Sequence, residues 1–302
     1  MRYSVYVTII PGSPDKQRRV IPALWKSQRG PKKSLGQHFF KNNEGIRLLI
    51  ETLRPKNGDF FIEIGPGKGE LTLPLLDLRK ESGIFFRYAG IEKDEELAEI
   101  LRKKLAPTGD IIISGDAREI LPALAGKAEG KLKIFGNIPY YLTGNLMRML
   151  TEIPKKPELA LFTVQYEVAE RIAGEKEGMS RLRAMLSFFY TPKIIAIFGK
   201  KDFSPPPKVG SAAILLSLRE ESEKNLHLWD TYERVAKCAF SQPRKTLENN
   251  LRGLFGGDKV AASRLIADAG LPAGMRPHEL ELQNLIKMSE MVYNNPDEMQ
   301  EK

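Results

Sequence analysis

One tetrapeptide of the sequence, Asn137-Ile138-Pro139-Tyr140, combines residue types that could act on a planar amine such as N6 of adenine. The lone pair of this nitrogen is delocalised into the ring, so methyl transfer requires the nitrogen to be pulled toward tetrahedral geometry. The Asn137 side-chain oxygen and the Ile138 carbonyl, on a backbone that Pro139 stiffens, could accept its two N–H groups. No strong base is required, because the methylated nitrogen becomes acidic as it forms. The ring of Tyr140 could stack on a base flipped out of its helix; a simple turn with a packed tyrosine is the alternative.

A second aromatic residue that could contact a base lies in the proline-rich segment Asp202–Ser211. Its consecutive prolines favour an extended conformation, which could hold Phe203 opposite Tyr140 as the other half of a stacking clamp. The alternative is a proline-stiffened connection with Phe203 in the core.

A glycine loop, Gly65-Pro66-Gly67-Lys68-Gly69, follows the apolar run Phe60–Ile64. Glycine at every second position lets the backbone turn sharply and lets a ligand approach the main chain, because no Cβ intervenes. The spacing is G-x-G-x-G, whereas dinucleotide sites have G-x-G-x-x-G with the pyrophosphate on the helix that follows. The loop therefore favours a nucleoside ligand without phosphates, such as S-adenosylmethionine, over NAD. An ordinary tight turn is the alternative.

Polar residues end four consecutive predicted strands, and these are Glu63, Glu92, Asp116 and Asn137. Ligands of open α/β sheets bind at the carboxyl ends of the strands. Glu92 could accept both hydroxyls of a ribose, and Asp116 could accept from the exocyclic amine of adenine. Each carboxylate alone could be a surface acid, but four suitable strand ends in succession indicate a nucleoside site.

The elements that must hold these residues follow from the hydrophobic pattern. We predict strands at Phe60–Ile64, Ile84–Ile91, Ile111–Ser114, Lys131–Phe135 and Leu159–Val164, and an antiparallel edge pair at Ile194–Phe198 and Ala212–Leu218. Predicted helices include Asn43–Leu53, Glu70–Leu78 and Gln165–Ile172, and later Leu226–Phe240, Thr246–Leu254, Val260–Ala269 and Pro277–Tyr293. Strands that alternate with helices predict a mostly parallel α/β sheet covered on both faces, and the last four helices predict a small helical appendage.

The composition restricts the class of protein. The chain has 302 residues, a formal net charge of +9 and a pI near 9.4, which indicates a polyanionic partner. The single cysteine, Cys238, excludes an internal disulfide, and three scattered histidines with one cysteine offer no metal-ligand spacing, so we expect no metal. No apolar run approaches the ~20 residues needed to span a bilayer, so no membrane association is expected.

Several segments, in the same order along the chain, resemble the motifs of the ribosomal RNA adenine N6,N6-dimethyltransferases. They are Lys33–Phe39 (KSLGQHF), Glu63–Gly67 (EIGPG), Glu92, Gly115–Ala117 (GDA), Asn137–Tyr140 (NIPY), Gln165–Arg171 (QYEVAER) and Phe203–Val209 (FSPPPKV). The resemblance covers the chain from about residue 32 to the helical end. It implies a Rossmann-like class I methyltransferase sheet, seven-stranded and mostly parallel with an antiparallel edge, a small C-terminal all-helical domain, and S-adenosylmethionine as the methyl donor.

The resemblance also implies roles for individual residues. The donor would contact His38, Phe40, Gly65, Gly67, Glu92, Asp116, Ala117 and Asn137. Asn137, Ile138, Pro139 and Tyr140 would handle the target amine and base, and Phe203 would stack from the other side. The sequence departs from the family pattern at Phe40, Gly210 and Pro243, where leucine, aspartate and arginine are usual. These departures weaken the resemblance for RNA docking more than for the donor site.

Within this family, Ala239–Leu251 resembles the F-x-x-R-R-K-T-L-x-N-L stretch of one branch. That branch dimethylates two adjacent adenosines in the loop near the 3′ end of small-subunit ribosomal RNA. Arg244 and Lys245 are suited to phosphate contacts, and we expect the same of the basic pair Lys32 and Lys33. The expected partner is the immature 30S subunit. We expect this protein to be a monomer and to be located in the cytoplasm.

Two alternatives belong to other functional classes. One is the macrolide-resistance branch, which methylates an adenosine of large-subunit RNA; the other is a ribosome-assembly or organellar transcription factor of the same fold. The predicted domains are a flexible basic extension (1–30), a methyltransferase domain (31–220) and a helical rRNA-docking domain (221–302). Nearly all of the net charge lies in residues 1–41, so residues 1–30 could also be an organelle transit peptide or a solvated tail.

Overall fold

The strands and helices below come from a computed structural model, which describes residues 37–174 and 178–295. The strands are β1 Phe39–Phe40, β2 Phe60–Ile64, β3 Arg87–Glu92, β4 Ile111–Ser114, β5 Leu132–Asn137, β6 Leu159–Gln165, β7 Tyr190–Phe198, β8 Phe203–Ser204 and β9 Ser211–Leu218. The helices are α1 Asn43–Leu53, α2 Thr72–Ser82, α3 Glu95–Leu105, α4 Ala117–Gly126, α5 Thr143–Glu152, α6 Tyr166–Ala173, α7 Arg181–Phe189, α8 Glu220–Lys224, α9 Trp229–Ala239, α10 Leu247–Leu251, α11 Lys259–Asp268 and α12 Leu282–Asn294. Lys32, Lys33 and the basic extension 1–30 lie outside the described residues.

Seven strands form one sheet in the order β4-β3-β2-β5-β6-β9-β7. The pairs β2–β3, β3–β4, β2–β5 and β5–β6 are parallel, whereas β9 runs antiparallel to β6. The strand order reverses between β2 and β5, and their carboxyl ends therefore flank the crevice where open α/β sheets bind ligands. The predicted mostly parallel sheet with an antiparallel edge is confirmed.

Some element boundaries differ from the predictions. β3 begins at Arg87 rather than Ile84, because Arg87 is opposite Phe60, the first residue of β2, and earlier residues have no strand beside them. Instead, the backbone N–H of Phe85 donates to the Asn57 side chain at 2.7 Å. The helix α7 was not predicted.

The chain divides into two units. Of the described residues, the first unit contains 37–169 and 193–217, and the second contains 170–174, 178–192 and 218–295. The predicted boundary near residue 220 lies close to the last of these borders. The hydrophobic pattern did not indicate that residues 170–174 and 178–192 belong with the C-terminal helices.

In the second unit, α7 is held by aromatic packing. The ring of Phe189 lies 4.5 Å from Trp229 of α9, and Phe188 lies 4.7 Å from Tyr232. The Tyr232 hydroxyl donates to the Ala184 carbonyl at 2.7 Å. Burial of these large rings explains why α7 belongs to the helical unit. None of the helices within the described ranges is both long and apolar enough to cross a membrane.

In the first unit, β1 and β8 form a small antiparallel sheet in which Phe40 is opposite Phe203. The Lys41 N–H donates to the Asp202 carbonyl at 2.8 Å, and the Asn42 side chain donates to the Asp202 carboxylate at 3.0 Å. The chain preceding α1 is therefore fixed to the start of the proline-rich segment.

A buried ion pair lies at the opposite, amino end of the central strands. Lys133 of β5 and Asp59, which precedes β2, are 2.7 Å apart, and both side chains are almost completely buried. The Lys133 ammonium also donates to the carbonyls of Leu53 and Arg54 at 3.0 and 2.7 Å. Because all three of its donors are engaged, this buried cation is well compensated.

Candidate functional site

A cavity lies at the carboxyl ends of the parallel strands in the first unit. Its lining includes every residue predicted to contact the donor or the target amine: His38, Phe40, Gly65, Gly67, Glu92, Asp116, Ala117, Asn137, Ile138, Pro139, Tyr140 and Phe203. The other two predicted site residues that the structure describes, Arg244 and Lys245, belong to the second unit. The fold thus brings the predicted donor and amine contacts to one place.

The glycine loop after β2 forms one wall of the cavity. Gly65, Gly67 and Gly69 have φ values of +68°, +60° and +89°, a conformation that side chains rarely allow. A Cβ on Gly65 would enter open space, whereas one on Gly67 would lie 3.2 Å from both Glu70 and Phe39. Gly65 therefore leaves room in the cavity for a ligand to lie against the main chain.

Glu92, at the end of β3, is buried and bound to the glycine loop. Its Oε2 accepts the Gly67 N–H and its Oε1 accepts the Asp94 N–H, both at 2.8 Å. Burial raises the pKa of this carboxyl. Each oxygen keeps a further lone pair, so the carboxylate can still accept the two hydroxyls of a ribose.

Asp116 follows β4 and caps the first turn of α4. Its Oδ1 accepts the backbone N–H and the Nε–H of Arg118, both at 3.0 Å. Its Oδ2 accepts from Arg118 Nη2 at 2.7 Å and from Lys93 Nζ at 3.0 Å. The hydrogen bonds from Arg118 hold the pKa of Asp116 well below its usual range. All four acceptor positions are engaged, so accepting an adenine amine requires one of these side chains to move aside.

Asn137 ends β5 and is held from two directions. Its Nδ2 donates to the His38 carbonyl at 2.6 Å, which leaves the side-chain oxygen as the group able to accept an N–H from a ligand. The next peptide is fixed as well, because the Ile138 N–H donates to the Thr163 carbonyl of β6 at 3.1 Å. Both predicted acceptors of the target amine therefore sit on a constrained backbone.

Tyr140 is half-buried, and its hydroxyl lies 2.8 Å from the Ser211 hydroxyl. Its ring stacks with His38 at 5.9 Å between centroids. Phe203 lines the cavity, but its side chain is 1% exposed and packs on Phe40 at 5.0 Å. The structure thus places His38, rather than Phe203, against Tyr140; stacking of Phe203 on a base remains a prediction.

Glu70 is a lining residue that the sequence reasoning missed. It lies directly after the glycine loop and is only 7% exposed. Its Oε2 accepts the Lys68 N–H at 3.1 Å, and burial raises the pKa of its carboxyl to about 7. Its place directly after the glycine loop, two residues before α2, was the available signal. Among the described residues, no group of three or more His, Cys, Asp and Glu side chains is arranged to hold a metal ion.

In the second unit, Arg244 and Lys245 are exposed in the turn between α9 and α10. The buried side chain of Asn250 organises this turn: its Oδ1 accepts the Gln242 N–H at 2.7 Å, and its Nδ2 donates to the carbonyls of Gln242 and Thr246, each at 3.0 Å. The asparagine of the resembling motif therefore holds the backbone that presents the two basic residues.

The reversed strand order and the cavity beside it define a Rossmann-like nucleoside-binding protein. The family model for ribosomal RNA adenine dimethylases matches residues 29–280, so the chain belongs to that family, as its motifs predicted. It is 32% identical to ribosomal RNA small subunit methyltransferase A of Vibrio parahaemolyticus, over 88% of this chain and 95% of that protein. It is 30% identical to the protein of the same name from Mycoplasma mycoides, over 87% of this chain and 98% of the relative.

Two solved structures share the fold. A dimethyladenosine transferase from Plasmodium falciparum aligns with a TM-score of 0.72 at 21% identity, over 86% of this chain and 98% of that chain. The 23S rRNA methyltransferase ErmE aligns with a TM-score of 0.65 at 23% identity, over 84% of this chain and 99% of that chain. At these identities the likeness concerns the fold.

Proposed function

We propose that this protein transfers methyl groups from S-adenosylmethionine to N6 of two adjacent adenosines near the 3′ end of small-subunit ribosomal RNA, giving N6,N6-dimethyladenosine. The observation that carries the proposal is the single cavity that joins Glu92 and Asp116 to the constrained Asn137-Ile138 backbone. A nucleoside-binding half and an amine-binding half are thus adjacent.

The donor site fits S-adenosylmethionine on the chemistry of its residues. Glu92 can accept the ribose hydroxyls, and Asp116 can accept the adenine amine once Lys93 or Arg118 moves. The open space beside Gly65 accommodates a ligand at the main chain. The bound donor supplies an electrophilic methyl group.

The target amine is activated by position rather than by a base. The Asn137 oxygen and the Ile138 carbonyl accept its two N–H groups, which directs the nitrogen lone pair toward the donor. The methylated nitrogen becomes acidic as it forms and loses its proton to solvent. The ring of Tyr140, oriented by Ser211, provides the surface on which the target base stacks.

Two observations favour the small-subunit branch of the family. The relatives at 30% and 32% identity are named as small-subunit methyltransferases, and this chain aligns with nearly their whole lengths. The turn that presents Arg244 and Lys245 is built around Asn250, so the basic pair is held in place for phosphate contacts. Within this proposal the partner is the assembling small subunit. The protein binds it in the cytoplasm as a monomer.

The test uses isotopically labelled S-adenosylmethionine with two substrates in parallel: small subunits that lack the dimethyl marks, and unmodified large-subunit RNA. We expect label on adenine N6 of the small subunit with wild-type protein and its loss with Asn137→Ala. Label in the large-subunit RNA would assign the protein to the resistance branch. No label with retained particle binding would favour an assembly factor.

A further inference from the structure

The carboxylate of Glu70 is held against the glycine loop inside the donor cavity. Its Oε2 accepts the Lys68 N–H at 3.1 Å and lies 3.2 Å from the position that a Cβ on Gly67 would occupy. On the other side of the same residue, the Gly67 N–H donates to Glu92 at 2.8 Å. Two buried carboxylates thus bracket Gly67, although the roles proposed above use only Glu92.

Glu70 has little charge compensation for a buried acid. Within residues 37–174 and 178–295, no basic side chain forms an ion pair with it. The nearby charges are Lys68, whose ammonium lies over the Phe39 ring at 4.4 Å, and the acids Glu63 and Glu92. Burying an ionised carboxylate without a cation is unfavourable, so a cationic ligand group at this position would be stabilised.

The strand order determines which part of the donor reaches Glu70. Asp116 follows β4 and Glu92 ends β3, so an adenosine bound by both has its adenine toward β4 and its ribose at β3. The group attached to the ribose then continues toward β2 and β5, with the reacting methyl near Asn137. The amino-acid portion of the donor therefore lies over the glycine loop, where Glu63 and Glu70 are the lining acids without an assigned role. Glu63 already accepts the hydroxyls of Thr72 and Tyr88, whereas Glu70 accepts no side-chain donor among the described residues.

We propose that Glu70 binds the α-ammonium group of the amino-acid portion of the donor and makes donor affinity depend on its own ionisation. This inference rests on the proposed function, because it places S-adenosylmethionine in the cavity. It adds an ionic contact to a site otherwise formed by backbone groups and the two strand-end acids. Burial holds the pKa of Glu70 near 7, so the carboxylate gains its charge between about pH 6 and 8.

Calorimetric titration of the full chain tests this contact with three ligands. S-adenosylmethionine and S-adenosylhomocysteine both carry the α-ammonium, whereas 5′-methylthioadenosine lacks the whole amino-acid portion. At pH 8 we expect Glu70→Gln to weaken the first two ligands by roughly tenfold and to leave the third within about twofold. Glu51→Gln, which neutralises an exposed acid on α1, is the matched control and should bind all three like wild type.

The pH dependence of donor affinity is a second measurement, and its first part uses the wild-type protein alone. Lowering the pH from 8 to 6 should weaken S-adenosylhomocysteine roughly tenfold for wild type, because about nine-tenths of Glu70 then becomes protonated. Glu70→Gln should lose this dependence. Binding of 5′-methylthioadenosine should stay constant and also reports that the variant cavity is folded.

Three results would overturn the contact while leaving the proposed function intact. An equal loss of affinity for all three ligands in Glu70→Gln would show that Glu70 determines the shape of the cavity. A loss of affinity for S-adenosylmethionine alone would show that the carboxylate contacts the sulfonium. Unchanged affinity for every ligand would exclude a contact. Wild-type protein that binds none of the ligands would instead contradict the proposed function itself.

Discussion

The side-chain amide of Asn137 donates to the carbonyl oxygen of His38 at 2.6 Å, and this bond joins segments 99 residues apart. His38 in turn stacks on Tyr140, three residues after Asn137. The segment that precedes α1 therefore determines which way the Asn137 oxygen faces, and it does so through the backbone rather than through a particular side chain at position 38.

Replacing Asn137 by alanine removes one of the two acceptors that we propose for the target amine. Losing a positioned hydrogen-bonding group of this kind lowers turnover by roughly 10²–10³-fold. We expect that loss in single-turnover methylation of small subunits, with a smaller change in donor affinity. Asn145→Ala, at an exposed position on α5, should retain full turnover. Near-normal turnover of the Asn137 variant would show that the Ile138 carbonyl suffices.

Replacing Glu92 by glutamine should disturb the donor site more than the loss of charge alone suggests. Both carboxylate oxygens accept backbone N–H groups, from Gly67 and Asp94, so an amide NH₂ would face one of these donors. We expect donor affinity to fall by tenfold or more, which corresponds to about 1.4 kcal/mol. Calorimetric titration measures this, with the exposed Glu99→Gln as the control. Unchanged affinity would place the ribose elsewhere.

Lys93 is expected to compete with the donor for Asp116. Its ammonium occupies a position on Oδ2 that an adenine amine would need, and its side chain is 45% exposed. Lys93→Met keeps the apolar stem and removes the competitor, so donor affinity should rise by about two- to fivefold. Lys103→Met, a similarly charge-reducing change on α3, should leave the affinity unchanged. Weaker donor binding by the Lys93 variant would mean that Lys93 itself contacts the donor.

Folding stability should fall as the pH rises from about 5 to 8 because of Glu63. Burial raises the pKa of this carboxyl to about 8, against hydrogen bonds from Thr72 and Tyr88 that lower it. In this interval the unfolded chain has lost the proton that the folded protein keeps, so the free energy of unfolding decreases with pH, by about 2–4 kcal/mol in all.

Urea unfolding at several pH values measures that change. Glu63→Gln retains an acceptor for both hydroxyls and cannot titrate, so its stability should fall less than that of wild type over the same interval. The decrease that remains comes from Glu70, because burial raises the pKa of that carboxyl to about 7. Glu129→Gln, on an exposed side chain, should follow the wild-type curve. A wild-type stability that is flat across this range would mean that Glu63 and Glu70 are both ionised in the folded protein.

The Arg244–Lys245 turn should contribute to RNA affinity without affecting the donor. Replacing both residues by alanine should weaken particle binding and lower the slope of log K against log salt by about 1–2, since each phosphate contact contributes nearly one counterion. Donor affinity should not change. Lys237→Ala, which removes an exposed cation of α9, is the matched control. A double variant with an unchanged salt slope would exclude phosphate contacts at this turn.

Asn250→Ala separates presentation of the basic residues from their charge. The variant keeps both cations but removes the hydrogen bonds to Gln242 and Thr246 that shape the turn. We expect particle binding to weaken while the protein remains folded by circular dichroism. Wild-type affinity in this variant would indicate that flexible cations are sufficient.

Much of the sheet was predictable because buried parallel strands appear as short apolar runs ended by a polar residue. Phe60–Ile64 and Ile111–Ser114 have the predicted bounds, and Asn137 lies at its predicted strand end. The helix α1 was also predicted to the residue, because apolar residues repeat on one face of it; the structure adds that Asn42 caps its start.

The remaining features depend on contacts between segments far apart in the chain. Nothing local to Lys133 indicates a buried lysine, which is tolerated because Asp59 and two carbonyls surround its ammonium. The occupation of Asp116 by Lys93 and the packing of Phe203 on Phe40 likewise arise from tertiary structure. Sequence spacing predicted residues that line one cavity but could not show which of their atoms are already engaged.

The pairing of β1 with β8 has a consequence for the protein while it is being synthesised. His38 and Phe40 reach the ribosome surface early, but the strand that holds Phe40 opposite Phe203 emerges more than 160 residues later. A nascent chain halted before Ser204 therefore has the glycine loop and its acids without the segment that fixes this wall. Binding of S-adenosylhomocysteine to stalled chains of increasing length would mark the moment at which the first unit becomes complete.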